Sequence, residues 1–185
     1  MKVYYNYLPD EFRDVSNIFT DWKLLIESSE FTLGSFVEDF EKRFEKFVGV
    51  KNCISTNNGT DALILSLKSL GIGKGDEVIT VANTFYATVG AIVAVGATPV
   101  LVDCDDRFQI DVNCILEAIT HKTKAVIPVH WGGASPDMDQ INQLCNSNNL
   151  FMIEDACMGI GAIVQGKHPG TIGHVNAFSM HPLKS

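Results

Sequence analysis

Apolar side chains recur every three or four positions over residues 10–47 and gather beyond Gly49 into short, nearly unbroken runs. From Asp10 to Ile26 the positions Phe12, Val15, Phe19, Trp22 and Ile26 keep the helical spacing, which predicts one amphipathic helix. After Thr32-Leu33-Gly34-Ser35 the spacing resumes with Phe36, Phe40, Phe44 and Phe47, while Glu38, Asp39, Glu41, Lys42 and Arg43 occupy the other side. That arrangement reads as a packing face of a second helix rather than an aromatic ligand site.

The later runs VKNCIST, EVITVA, TPVLVD, KAVIPVH and NLFMIED read as strands. Between them DALILSLKSL, the stretches Tyr86 to Val95 and Val112 to Ile119, and MDQINQLCN read as helices. This alternation predicts an α/β fold: a mostly parallel mixed sheet with helices on both faces. The glycine-rich stretch Ile160 to Gly173, with Pro169, predicts a loop or an irregular β excursion before the last run, HVNAFSM. The sequence ends one residue after Lys184 without a helix to cover that run, so the domain is expected to be incomplete here.

Composition narrows the picture. With 185 residues, 46% hydrophobic and 19% charged, the chain can bury one substantial core. Acidic residues outnumber basic ones 22 to 14 and the basic ones are scattered, which excludes an electrostatic footprint for nucleic acid. The five cysteines never approach a C-x-x-C spacing and lie in or beside apolar runs; they read as buried thiols of a reducing cytoplasm rather than metal ligands. No export signal is expected in MKVYYNYLPDEFRDV, and the most apolar stretch, Ala87 to Val102, is interrupted by Gly90, Gly96 and Pro99, so no membrane span is expected.

In open α/β sheets ligands collect beyond the carboxyl ends of the strands, and four such places carry chemistry. Asn57-Asn58-Gly59-Thr60-Asp61 precedes a helix whose free N–H groups could hold a phosphate, or it is a plain capping turn with Thr60 or Asp61 as the cap. Asn83 to Thr88 puts Phe85 and Tyr86 where a flat cofactor could stack, or where rings simply pack in the core. Glu154-Asp155 offers a carboxylate for a protonated pyridine nitrogen, or a helix cap, or a magnesium-binding pair; the last lacks its companion G-x-x-x-x-G-K-[ST] loop. Ser179-Met180-His181-Pro182-Leu183-Lys184 offers a hydroxyl and an amine, or an ordinary solvated lysine. The run Gly71-x-Gly73-x-Gly75 follows a helix and precedes a strand, the reverse of a dinucleotide fingerprint, and reads as a helix C-cap and turn.

Taken together, a phosphate cradle, a ring, a carboxylate and a lysine are the contacts that pyridoxal phosphate requires. In order along the chain, N-G-T-D-A-L (Asn58 to Leu63), G-I-G-K-G-D-E-V-I-T (Gly71 to Thr80), T-F-Y-A-T (Thr84 to Thr88) and G-A-T-P-V-L-V-D (Gly96 to Asp103) lead to I-P-V-H (Ile127 to His130), D-M-D (Asp137 to Asp139), E-D-A (Glu154 to Ala156) and S-M-H-P-L-K (Ser179 to Lys184). Over almost its whole length the chain thereby resembles the DegT/DnrJ/EryC1/StrS family of sugar aminotransferases, pyridoxal-phosphate proteins of fold type I.

The resemblance implies that Gly59, Thr60 and Ser179 hold the cofactor phosphate, Phe85 stacks on the pyridine ring, Asp155 pairs with its nitrogen and Lys184 forms the Schiff base. It implies an N-terminal helical segment, 1–33, before a cofactor-binding large domain, 34–185, truncated ahead of a small C-terminal domain. It also implies a cytoplasmic homodimer that moves an amino group from an amino acid, glutamate above all, to a keto-sugar, nucleotide-linked or phosphorylated. No metal site, nucleic acid or membrane enters that expectation. One departure is Met158, where the family commonly has Gln or His near the cofactor's phenolic oxygen; a thioether cannot donate a hydrogen bond there. Two rivals stay open: a cofactor-dependent sugar dehydratase, which in this family replaces the lysine by histidine, and a non-catalytic fragment or regulatory module that keeps the fold.

Overall fold

The computed structural model describes residues 6–184; residues 1–5 and 185, which fall in the segments 1–33 and 34–185, lie outside the described residues. The chain divides into two compact units between Ser55 and Thr56. The first carries α1 (Leu8–Glu11), α2 (Ser16–Ser28) and α3 (Ser35–Val48). The single helix expected from Asp10 to Ile26 is therefore two. Asp14 causes the break: its carboxylate accepts from the backbone N–H and the hydroxyl of Ser16, giving the chain a new helix start there. α3 stops at Gly49, which takes the left-handed conformation (φ 82°) and donates to the Glu45 carbonyl.

The run expected as a strand after Gly49 pairs with no other strand among the described residues. Its N–H groups are used otherwise: Cys53 donates to Glu45 Oε1 at 2.9 Å and Ser55 to Glu41 Oε1 at 2.6 Å, both on α3. Carboxylates one helical turn apart thus substitute for a neighbouring strand.

The second unit contains α4 (Gly59–Ser69), β1 (Glu77–Val81), α5 (Tyr86–Ala94), β2 (Thr98–Val102), α6 (Val112–Ala118), β3 (Thr123–Ile127), α7 (Met138–Ser147), β4 (Phe151–Asp155) and β5 (Val175–Ala177). These strands form a sheet in the order β2-β1-β3-β4-β5, and every pairing is parallel. The expected glycine C-cap after α4 is present: Gly71 lies at φ 73° and Ile72 donates back to the Leu67 carbonyl. The stretch Ile160 to Gly173 is irregular, with one antiparallel bridge between Val164 and Lys167.

Strand side chains alternate between two cores. Val78, Ala125, Ile127 and Ile153 meet Leu63 and Leu67 of α4 and Ala91 and Ile92 of α5. Ile79, Val126 and Met152 point the other way, to Ile115 of α6 and Ile141 and Cys145 of α7. The same alternation carries on along β4 and sends its last two residues to opposite faces, Glu154 with Met152 and Asp155 with Ile153.

Leu67 is fully buried on the α4 face. Leu67→Ala should cost about 2–5 kcal/mol through lost transfer energy and a residual cavity, read as a lower urea midpoint at unchanged slope.

Candidate functional site

The site is built around the start of α4. Its cap is Asn58, whose Oδ1 accepts from the Asp61 N–H at 2.8 Å while Asp61 Oδ2 accepts from Asn58 Nδ2 at 3.1 Å. The cap is thus one of the alternatives in kind but neither Thr60 nor Asp61 in identity. Gly59 and Thr60 consequently occupy the first turn, where a helix offers their N–H groups no acceptor of its own. A methyl group on Gly59 would stand 3.0 Å from Cys157 Sγ and 3.3 Å from both the Phe178 carbonyl oxygen and Ser179 Cβ. The helix start therefore touches the segments that leave β4 and β5.

Asp155 closes β4 on this face and is 6% exposed. Its Oδ2 accepts from the Thr88 hydroxyl at 2.7 Å and its Oδ1 from the Cys157 N–H at 3.3 Å. It caps no helix, and among the described residues it has no cationic side chain within ion-pair distance. Glu154 points away from it, so the two carboxylates cannot act as a magnesium-binding pair.

Glu154 is itself fully buried. Its Oε1 accepts from the N–H groups of Ile172 and Gly173, each at 2.6 Å, and its Oε2 from Gly170 N–H and His130 Nε2, each at 2.8 Å. Burial alone would raise the carboxyl pKa; hydrogen bonds from His130, Gly173 and Gly170, with the histidine's charge, outweigh it and hold Glu154 below its ordinary value. Among the described residues, His130 Nδ1 is buried without a partner. On this side lies a cavity of about 140 Å³, lined by Arg107, His130, Asp137, Glu154, Lys167 and Pro169 among others, and it contains none of the six residues expected at the site.

Phe85 caps α5 and is 46% exposed, with Tyr86 beside it 78% exposed, so neither ring serves as core packing. Lys184 is half-buried, and its Nζ stands over the Phe85 ring, 4.7 Å from the centroid. A turn brings it there: Lys184 N–H donates to the His181 carbonyl at 2.9 Å and His181 N–H to Ser179 Oγ at 3.3 Å. Burial pushes the Cys157 thiol well above its ordinary value, helped by the Asp155 carboxylate and opposed by the Lys184 charge.

The fold thus brings Gly59, Ser179 and Asp155 around Cys157, and sets Lys184 on Phe85; Thr60 follows Gly59 in the same helical turn. Sequence reasoning passed over Cys157, Thr88 and the His130–Glu154 pair. Three of these residues lay inside quoted motifs, Thr88 in T-F-Y-A-T, His130 in I-P-V-H and Glu154 in E-D-A, but nothing local signalled that the histidine and glutamate, 24 positions apart, pair with each other.

A model described as the DegT/DnrJ/EryC1/StrS aminotransferase family matches residues 14–185. The chain is 46% identical over 156 residues to dTDP-3-amino-3,6-dideoxy-alpha-D-galactopyranose transaminase of Aneurinibacillus thermoaerophilus, covering 84% of this chain and 43% of that protein. It is 40% identical over 177 residues to 3-oxo-glucose-6-phosphate:glutamate aminotransferase of Bacillus subtilis, covering 95% and 38%. Among solved structures, NtdA from Bacillus subtilis with bound cofactor PMP superposes with a TM-score of 0.83 at 40% identity, covering 94% of this chain and 38% of that one. The chain spans about half the length, or less, of the curated relatives it matches.

The Glu154 carboxylate yields a prediction. Because its folded-state pKa lies below the ordinary 4.5, the stability it contributes is complete above that pH and is lost as pH falls through the folded value. Glu154→Gln, which faces a donor toward donors, should cost roughly 3 kcal/mol at neutral pH. Urea denaturation from about pH 6 to about pH 3 should show a shallower acid loss in the variant than in the wild type.

Proposed function

The chain belongs to the DegT/DnrJ/EryC1/StrS aminotransferase family, and from that premise we propose that it is the cofactor-binding part of a pyridoxal-phosphate-dependent sugar aminotransferase. In this reading an amino group passes from an amino acid, glutamate in the first instance, to a keto-sugar carried on a nucleotide or a phosphate. The observation that carries it is the convergence of a helix start whose Gly59 and Thr60 N–H groups its Asn58 cap leaves unused, a buried carboxylate and an amine over an exposed ring face.

The residues fit the group. The close approach of Gly59 to Ser179, with the Gly59 and Thr60 N–H groups and the hydroxyls of Thr60 and Ser179, suits a phosphate at a helix N-terminus. The exposed face of Phe85 suits a flat ring, and the Asp155 carboxylate retains acceptor capacity for a ring N–H. Pyridoxal phosphate, when bound, supplies an electron-poor ring that stabilises negative charge at the carbon bearing the amino group.

Each side chain then has a task. Gly59, Thr60 and Ser179 anchor the phosphate, and Phe85 fixes the plane in which the ring lies. Asp155 keeps a proton on the ring nitrogen. Lys184 would hold the aldehyde carbon of the bound group, and its amine, once an amino donor displaced it, would be the base that takes the proton from the donor's α-carbon and the acid that gives it back on the other side of the nitrogen. The same residues acting in reverse deliver the amino group to the keto-sugar.

Two relatives support the substrate class, one named for a dTDP-linked sugar and one for a sugar phosphate. The presence of Lys184 rather than histidine favours transfer over dehydration. The reading carries with it the cytoplasmic homodimer and the 1–33 and 34–185 division that the family resemblance implies.

The intact protein with pyridoxal phosphate should gain a visible absorption band that glutamate bleaches, and borohydride should couple the cofactor to the peptide bearing Lys184. Coupling elsewhere, or no band, would sink the reading. Gly59→Ala keeps the N–H but sets a methyl 3.0 Å from Cys157 Sγ and 3.3 Å from Ser179 Cβ; by pushing Ser179 aside it should weaken cofactor binding about tenfold, roughly one hydrogen bond to a charged group, in an absorbance titration.

A further inference from the structure

Two threonines of the T-F-Y-A-T run have no task in the reading above. Thr88, in the first turn of α5, is fully buried, and its hydroxyl lies 2.7 Å from Asp155 Oδ2 and 2.8 Å from the Thr84 hydroxyl. A hydroxyl has a single proton, and a carboxylate can only accept. Thr88 must therefore spend its proton on Asp155. Thr84, half-buried at the loop that follows β1, must donate to Thr88 in turn. The direction of both bonds follows from counting protons.

We propose that Thr84 and Thr88 form a one-way hydroxyl relay that makes Thr88 the positioning residue of Asp155, fixing which oxygen is tied to α5 and which lone pairs face the cofactor's ring nitrogen. The inference rests on the reading of Asp155 as the partner of that nitrogen. Three features give the relay its effect. It is dry at Thr88, where no water competes for the proton. It is cooperative, because a hydroxyl that accepts a hydrogen bond donates a stronger one. It also joins separate segments, since Thr84 lies in the loop after β1, Thr88 on α5 and the carboxylate on β4. With the Cys157 N–H on the other oxygen, Asp155 is held by donors on both of its oxygens, with no cationic partner among the described residues. With one lone pair on each oxygen taken by these donors, the remaining ones are fixed in direction, toward where a ring N–H would donate.

The test reads the ring nitrogen itself. The intact protein is loaded with pyridoxal phosphate labelled with 15N in the ring, and NMR spectra are compared for wild type, Thr88→Val, Thr88→Ser and Thr84→Val. Thr88→Val should displace the signal toward unprotonated pyridine, by about a tenfold change in the protonation equilibrium, as expected for one hydrogen bond to a charged group. Thr88→Ser keeps the hydroxyl and should restore the wild-type position, which a purely structural role for the side chain would not require. Thr84→Val should shift the signal the same way by less; being half-buried, it keeps the test open should Thr88→Val fail to fold. An unmoved signal in whichever of the two valine variants folds overturns the relay while leaving the cofactor reading intact. Wild-type protein that takes up no cofactor overturns the reading and the relay together.

Discussion

A carboxylate taken entirely out of water has to be ringed by donors, and Glu154 is ringed by four of them. One comes from His130 just beyond β3, and three come from the loop that runs into β5. The cost of leaving any of them unpaired in a dry interior is what keeps that glycine-rich loop in one shape. Gly170, at φ 82° and with no room for a methyl beside Phe178, shows how closely the loop is drawn in. Since β5 continues directly to Ser179 and Lys184, a clamp on one face of the sheet sets where the amine arrives on the other.

The two faces divide the work. Behind the sheet, ionic hydrogen bonds around Glu154 hold strands and loop in register. In front, Asp155 is held by a hydroxyl and an amide, neutral donors that fix its orientation and leave acceptor capacity open. Cys157 sits between Gly59 and Asp155, and burial beside a carboxylate keeps it a protonated, weakly nucleophilic thiol. The amine of Lys184 therefore has no thiolate beside it to compete for an aldehyde.

Much of this was legible in the chain. Unbroken apolar runs and period-3.6 patterns located the parallel sheet and its helices because the central strands β1, β3 and β4 are buried on both faces. The pattern misled where side chains took over the work of backbone. Asp14 started a helix inside an unbroken apolar period, and Glu41 and Glu45 satisfied a strand-like segment that has no strand beside it among the described residues. At the candidate site, residues at strand ends could be picked out from topology alone. The partners that orient them could not: the Thr88–Asp155 contact spans 67 positions and the His130–Glu154 contact 24, and neither leaves a local trace.

Glu154 and Asp155 stand back to back on adjacent positions of one strand. Their chemistry is therefore tied to parity as much as to identity. Inserting or deleting a single residue within β4 would turn the clamp carboxylate toward α4 and α5 and the site carboxylate into the opposite core. Evolution can exchange side chains along this strand but cannot change its length by one, so drift in chain length has to be absorbed in the loops that flank it.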